Sequence, residues 1–397
     1  MKLYRNLTEA VADALHQIFV DNRYADKVIE KILKQNPRWG ARDRRFIAET
    51  TYDIVRWYRL FQHAVQAEPT DFWKLIGAWC LWRGEEPPAW PEFYGLGSRQ
   101  FEKNMLEAQD NIVLRESIPD WLHNVGTDEL KTAWPRELHA LNEAAPVVLR
   151  VNTLKIPKAD LQRHLREQDG IETHAPAEYP DALLLEQRQN IFTRQAFKDG
   201  WFEVQDAGSQ KIAPFLQVEP GMRVIDACAG GGGKTLHLSA LTENKGRIIA
   251  MDTEAWKLEE LKKRARRAGA TNIETRVIES SKTIKRLAAT ADRVLLDVPC
   301  SGLGVLKRNP DAKWKLSPAF LVEVRATQQK ILQQYSAMVK PGGLLVYSTC
   351  SLLPSENEKQ VDAFLSSPDC PFERIDQQTL LPSAGFDGFF MALLRHR

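Results

Sequence analysis

The chain has few cysteines, no long hydrophobic run and almost no net charge, and each shortage removes a class of protein. Five cysteines stand among 397 residues, at Cys80, Cys228, Cys300, Cys350 and Cys370. An odd number so widely scattered makes no disulfide framework, and no Cys-x-x-Cys pair or Cys/His cluster has zinc spacing. Free thiols in a reducing compartment follow. No apolar stretch reaches the roughly 18 residues of a membrane span. Glu9 and Asp13 interrupt the apolar pattern of the N-terminus, which therefore does not read as a signal peptide. A soluble cytoplasmic monomer is expected, with no metal and no membrane partner. The formal charge is only +2, so any surface for a polyanion has to be local. With 43% hydrophobic and 27% charged residues over this length, two or three domains with sizeable cores are expected.

What is present falls into three stretches. Residues 1–142 carry apolar residues at three- and four-residue spacing, as in Val11, Leu15, Ile18 and Phe19, and read as helical. There Arg42, Arg44 and Arg45 stand at an expected helix start, against the helix dipole. They suit an external anion such as RNA phosphate, and a solvated charged face equally well. Residues 143–204 change to a small α/β unit, with strand-like Val147–Lys155, Ala182–Gln187 and Gly200–Gln205 around a helical segment. From residue 205 to 397 strands and helices alternate. Strands are expected at Arg223–Ala227, Arg247–Asp252, Ile273–Ile278, Arg293–Val298 and Leu344–Thr349. Helices are expected at Lys257–Ala268, after the cap Ser317-Pro318, and after a capping box Ser355–Glu358. Such a series implies an α/β domain on a doubly wound parallel sheet. The last strand, Gly388–Arg395, is expected to close the sheet as an antiparallel edge.

Three segments carry chemistry. The first strand runs into Asp226, Cys228, Ala229, Gly230, Gly231, Gly232 and Gly233, then a helix from Lys234. Glycines admit a ligand to the backbone, and the helix start offers free N–H groups. The ending Gly233-Lys234-Thr235 imitates a phosphate-binding loop, but Cys228 occupies the place of its first glycine. A glycine-rich turn alone is weak evidence. The second segment ends the next strand with Asp252 and Thr253, where a carboxylate can accept from ribose hydroxyls. Together these suit an adenosine-bearing ligand, a nicotinamide dinucleotide or S-adenosyl-L-methionine. The third segment is a pair: the fourth strand ends in Asp297-Val298-Pro299-Cys300 and the fifth in Ser348-Thr349-Cys350. Ligands of open parallel sheets lie outside the carboxyl ends of the strands. One cysteine there would be unremarked as a buried structural thiol. Two at successive strand ends, each followed by serine, point to catalysis.

The first and third of these segments, with Leu149–Lys155, Val204–Gln210 and Gly385–Phe390, resemble the RsmB-like (Sun family) RNA cytosine-carbon-5 methyltransferases. Six motifs in family order span residues 149–390. The N-terminus, through Arg42–Trp57, resembles the NusB-like RNA-binding domain of the rRNA members. The resemblance implies a Rossmann-like class I methyltransferase domain preceded by an all-helical NusB-like domain and a small α/β adaptor. It implies S-adenosyl-L-methionine as cofactor and RNA as partner, rRNA favoured and tRNA possible. It assigns the nucleophile to Cys350 and product release to Cys300, with Asp297 beside ring nitrogen 3. Lys234 resembles the family's lysine that contacts cofactor or target base. Arg308, Asp206, Arg150 and Asn152 fall in motifs that face substrate RNA. Two departures stand out. The family loop usually reads Ala-Pro where this chain has Gly230-Gly231, and the adenine-binding aspartate after the third strand is replaced by Glu279 or Ser280. Two other readings remain: a nitrogen methyltransferase, disfavoured because Asp297-Val298-Pro299-Cys300 is not an Asn/Asp-Pro-Pro-Tyr motif, and a non-catalytic RNA-binding protein on the same fold. Residues 257–286 hold ten Lys/Arg against four Asp/Glu, an excess that suits either phosphate contacts or a solvated helix face.

Overall fold

The computed structural model describes residues 3–397. Packing divides the chain into two units. One runs to Glu143 and takes in Leu306–Pro318; the other comprises Ala144–Val305 and Ala319–Arg397.

The first unit is helical. Helices Arg5–Phe19, Ala25–Gln35, Ala41–Arg56 and Phe72–Trp82 surround a core that includes Val11, Leu15, Ile18, Ile47, Ile54, Phe61 and Leu75. The three- and four-residue apolar spacing thus becomes one buried stripe per helix. At the third helix the dipole conflict is softened locally. Asp43 accepts from the Gly40 N–H at 3.1 Å, Arg44 donates to the Trp39 carbonyl at 2.9 Å, and Arg45 pairs with Glu49. The stretch Lys307–Trp314, read above within the catalytic domain, packs here instead. Its polar groups find partners among these helices: Trp314 Nε1 donates to the Val55 carbonyl at 2.7 Å, and Asp311 accepts from the Ala25 N–H at 2.9 Å. Lys313 is fully buried and donates to the Arg56 carbonyl at 2.8 Å.

The second unit holds two sheets. The smaller has strands β1 (Val148–Val151), β2 (Thr173–His174), β3 (Ala182–Leu185) and β4 (Phe202–Val204), in the order β2-β3-β1-β4, all antiparallel. The larger has β5 (Arg223–Asp226), β6 (Arg247–Asp252), β7 (Ile273–Val277), β8 (Ala291–Asp297), β9 (Val339–Thr349), β10 (Phe372–Leu380) and β11 (Phe389–His396). Their order is β10-β11-β9-β8-β5-β6-β7. Strands β5 to β9 are parallel; β5, β6, β8 and β9 carry apolar runs that suit burial on both faces, and β7, half-buried and polar, is the edge. β8 and β9 begin earlier than the hydrophobic pattern suggests, because Ala291 pairs with Val339 ahead of a bulge. β11 is antiparallel to β9, but it is not the edge: β10, largely exposed and polar, pairs with its other side. β5 has β6 on one side and β8 on the other. The chain reverses its winding there, which opens a crevice at the carboxyl ends of β5 and β8. Among the described residues no helix is long and apolar enough to cross a membrane.

The expected capping box at Ser355–Glu358 does not form. The helix begins only at Glu358, and residues 354–357 make a turn. The polar side chains there are engaged elsewhere. Asn357 accepts from Thr349 Oγ1 at 2.5 Å and donates to the Ser351 carbonyl at 3.0 Å, while Glu356 is fully buried.

Candidate active site

The crevice contains a cavity of about 300 Å³ lined by Val204, Gln205, Ser209, Asp226, Cys228, Ala229, Gly230, Gly231, Gly233, Lys234, Arg264 and Asp297. Its floor is the glycine loop between β5 and helix Gly233–Leu241. Asp252, at the end of β6, accepts from the Gly230 N–H at 2.9 Å and from the Glu254 N–H at 2.9 Å. Each of its oxygens keeps a second lone pair. Gly230 has φ 52° and Gly232 φ 86°, a region that side chains rarely adopt. Gly230 therefore uses the freedom that an alanine at this place would lack. A Cβ on Gly232 would also meet Leu261 Cγ at 2.5 Å. Gly232→Ala is expected to cost about 1–3 kcal/mol, read as a lowered Tm in thermal denaturation; an unchanged Tm would contradict the loop geometry.

Cofactor recognition can be tested on this floor. Asp226 Oδ2 accepts from Thr235 Oγ1 at 2.7 Å, while its Oδ1 is buried with no hydrogen-bond partner among the described residues. Burial foremost, then the charge of Asp297, raises the Asp226 pKa to about 7, against the Thr235 hydrogen bond. An unpartnered carboxylate oxygen beside a helix N-terminus suits a ligand that bears both a cation and an anion. S-adenosylmethionine is such a ligand, with an ammonium and a sulfonium beside a carboxylate. Burial pushes the Cys228 thiol well up, so this third cysteine is an un-ionised part of the wall.

Asp297, at the end of β8, reaches the same cavity. Lys234 Nζ lies 2.6 Å from Asp297 Oδ2, and Ser348 Oγ donates to Asp297 Oδ1 at 3.0 Å. Burial works to lower the Lys234 pKa, but the charge and hydrogen bond of Asp297, with Cys350 and Asp226, raise it. Lys234 therefore stays an ammonium. The two thiols meet: Cys300 Sγ and Cys350 Sγ are 3.3 Å apart. The hydrogen bond with Cys350, then burial, then the charges of Cys350 and Glu356 hold the Cys300 pKa well above its ordinary value. Two close glycine contacts bring the thiol loops to this separation. The Gly304 N–H donates to the Cys350 carbonyl at 2.8 Å, and the Gly388 N–H donates to the Gly304 carbonyl at 2.8 Å. A Cβ on Gly304 would meet the Gly388 carbonyl oxygen at 2.1 Å. The Gly385–Phe390 motif is thus a brace for the cysteine loops.

Other expected site residues lie elsewhere. Arg150 and Asn152 are not on an RNA-facing surface. Arg150 is buried and donates to the Gln205 side chain and, at 2.5 Å, to the Gly233 carbonyl, so it props the cavity wall from behind. Asn152, also buried, donates to the carbonyls of Gly200 and Ala268 at 2.7 and 2.8 Å. Asp206 is buried and caps a turn, accepting from the Gly208 N–H at 2.8 Å and the Asp387 N–H at 3.3 Å. Polar side chains inside a fold must be satisfied, and these are satisfied internally. Arg308 belongs to the helical unit. Thr253, Glu279 and Ser280 are exposed, and none lines the cavity. The basic helix Ala255–Ala268 is not a plain charged face. Arg264 turns inward, donating to the Gly231 carbonyl at 2.7 Å and to Glu203 at 3.0 Å, and Arg267 also binds Glu203. Arg264 was hidden in a run of lysines and arginines, with no local sign of its direction.

Known proteins agree with this geometry. A family model described as 16S rRNA methyltransferase RsmB/F matches residues 213–395, and one described as the ferredoxin-like domain of RsmF/B-like methyltransferases matches residues 118–192. A probable ribosomal RNA small subunit methyltransferase B from Synechocystis is 33% identical over 429 residues, covering 94% of this chain and 95% of its own. The ribosomal RNA small subunit methyltransferase B of Vibrio cholerae is 34% identical over 310 residues, covering 75% and 70%. Among solved structures, a methyltransferase homolog from Pyrococcus horikoshii matches with a TM-score of 0.64 at 27% identity, over 72% of this chain and 98% of that one. With the glycine-loop cavity, the strand order and near-complete coverage by a relative all in agreement, the chain belongs to the RsmB/F family of S-adenosylmethionine-dependent rRNA methyltransferases.

Proposed function

We propose that the protein methylates carbon 5 of a cytosine in 16S rRNA through a covalent adduct on Cys350. One observation carries the proposal: two thiols 3.3 Å apart beside the Asp297–Lys234 pair that borders the cofactor cavity. Carbon 5 of cytosine is too weak a nucleophile to take a methyl group unaided. A thiolate bonded to carbon 6 turns the ring into an enamine, which can attack from carbon 5. Cys300 is held protonated, and its sulfur lies within hydrogen-bond reach of Cys350. Negative charge develops at ring nitrogen 3; Asp297 is assigned to that nitrogen as a proton relay, and the Lys234 ammonium 2.6 Å away supplies the proton and the positive charge. S-adenosylmethionine, when bound, supplies a methyl group on positively charged sulfur. Asp226, Asp252 and the N–H groups of the glycine loop would hold it. After methylation a base takes the carbon-5 proton, the C–H electrons form the C5=C6 bond and Cys350 leaves as a thiolate; this release step is assigned to Cys300, which must first have given up its own proton. The target base has to leave any stacked helix, since carbon 6 is shielded there.

Methyl transfer from labelled S-adenosylmethionine to purified 16S rRNA, to 30S subunits and to tRNA tests the substrate. Label in 16S rRNA is expected. Label confined to tRNA would refute the substrate, and label in neither would refute the activity.

Asp226 adds a pH signature. Its pKa of about 7 in the folded protein lies above the unfolded value of 3.8. Between these values the unfolded chain releases a proton that the folded one keeps. Stability is therefore lost as pH rises from about 4 to about 7, by an amount on the order of 4 kcal/mol at about 1.4 kcal/mol per unit. Asp226→Asn is expected to raise the midpoint of urea unfolding at pH 8 and leave it nearly unchanged at pH 4. Equal shifts at both pH values would contradict a neutral, buried Asp226.

A further inference from the structure

We propose that Glu356 is the positioning residue for both thiols, its buried carboxylate joining the loop that carries Cys300 to the loop that carries Cys350, a role that rests on these being the reacting groups. Glu356 is 0% exposed. Its Oε1 accepts from Ser301 Oγ at 2.5 Å and from Ser351 Oγ at 2.5 Å. Its Oε2 accepts from the Ser301 N–H at 2.8 Å and from Gln328 Nε2 at 3.0 Å. Ser301 directly follows Cys300, and Ser351 directly follows Cys350. One carboxyl group thus holds the residue after each thiol. Gln328 also donates to the Pro299 carbonyl at 2.9 Å, just ahead of Cys300.

The hydroxyls are locked in both directions. Ser301 Oγ and Ser351 Oγ are 3.1 Å apart. While each donates to Glu356, Ser301 Oγ accepts from the Leu303 N–H and Ser351 Oγ from the Leu353 N–H. No ion pair to Glu356 exists among the described residues, so four donors, not a cation, hold a buried carboxylate. Burying a charge in this way is costly unless its hydrogen bonds are complete. A neutral brace would hold two loops at less cost. The carboxylate does more than a neutral group, since its charge also helps to keep Cys300 protonated beside Cys350. The serines that follow both cysteines therefore orient the thiols through Glu356 and do not touch substrate themselves.

The test uses the full chain with and without RNA. Phenylarsine oxide bridges two close thiols, forming two As–S bonds with loss of one water and no change of oxidation state. Wild type, with sulfurs 3.3 Å apart, is expected to be bridged rapidly, read by intact mass, and Cys300→Ala is not. Glu356→Gln is expected to be bridged about tenfold more slowly and to lose roughly 30- to 100-fold in kcat, with RNA KM, cofactor affinity and circular dichroism near those of wild type. A shift of the alkaline limb of its pH–rate profile to lower pH is expected as well, since Cys300 loses a charge that keeps it protonated, and a merely structural defect does not give that. Bridging and kcat within about twofold of wild type would overturn the proposal. Should Glu356→Gln fail to fold, Ser301→Ala/Ser351→Ala removes the same two bonds to Oε1 with smaller disturbance, and the same two outcomes decide. Bridging is read without RNA, so an inactive wild type would count against carbon-5 chemistry and leave the positioning role to be judged on the thiols alone.

Discussion

Cys300→Ala, incubated with S-adenosylmethionine and 16S rRNA, accumulates a protein–RNA complex that survives a denaturing gel, while Cys350→Ala forms none and loses methyl transfer by on the order of 10³-fold or more. The asymmetry follows from the pair. The two sulfurs are 3.3 Å apart, so a base bonded to one is beside the other. Cys300 is held protonated by its hydrogen bond with Cys350, by burial and by Glu356, and Cys350 is the thiol proposed to attack. Without Cys300 the first bond still forms and the methyl group still moves. What fails is expulsion of Cys350 from carbon 6, and the adduct persists. Without Cys350 no enamine forms. If Cys350→Ala is the variant that retains RNA, the two roles are reversed. In DNA cytosine methyltransferases the cysteine after proline is the nucleophile, and that is the position of Cys300 here, so the reversal is a genuine alternative outcome.

Asp297→Asn and Lys234→Met are each expected to lower kcat by about 10²- to 10⁴-fold, and the double variant to be little worse than the weaker single one. At 2.6 Å the carboxylate and ammonium act as a unit. Breaking either side leaves the other charge partly buried and unpaired, which costs more than the pair contributes. Both groups face the cavity and one oxygen of Asp297 is anchored by Ser348. Losing the ammonium should therefore let the carboxylate turn away from ring nitrogen 3. Additive losses, with the double variant at the product of the two singles, would show that the residues act separately. Steady-state kinetics with saturating cofactor separates the cases.

The thiols and Asp297 were legible because each stands at or just past the end of an apolar run, and Lys234 because it opens the helix after the glycine loop; the ends of parallel strands converge whatever the loops do. Asp226 and Asp252 were legible for the same reason. What the pattern hid is direction. Arg150 sits on β1 and Asn152 just past its end, in a motif shared with RNA enzymes, yet their side chains point inward to Gly233 and Ala268. Arg264 lies in a run of basic residues but turns inward, to the Gly231 carbonyl and Glu203. Glu356 lies inside an expected helix cap, but its carboxyl group is taken by Ser351 and by the distant Ser301, and the helix begins only at Glu358. The segment 306–318 follows β8 in sequence but buries Lys313 and Trp314 among the N-terminal helices. Each of these depends on a partner far along the chain, which local periodicity does not report.

The most direct measurement is the identity of the product. 16S rRNA, methylated in vitro by the wild-type protein with isotope-labelled S-adenosylmethionine, is digested to nucleosides and analysed by mass spectrometry against standards. The label is expected in 5-methylcytidine alone. Label in N4-methylcytidine, or in any other nucleoside with 5-methylcytidine absent, would contradict carbon-5 chemistry at the paired cysteines.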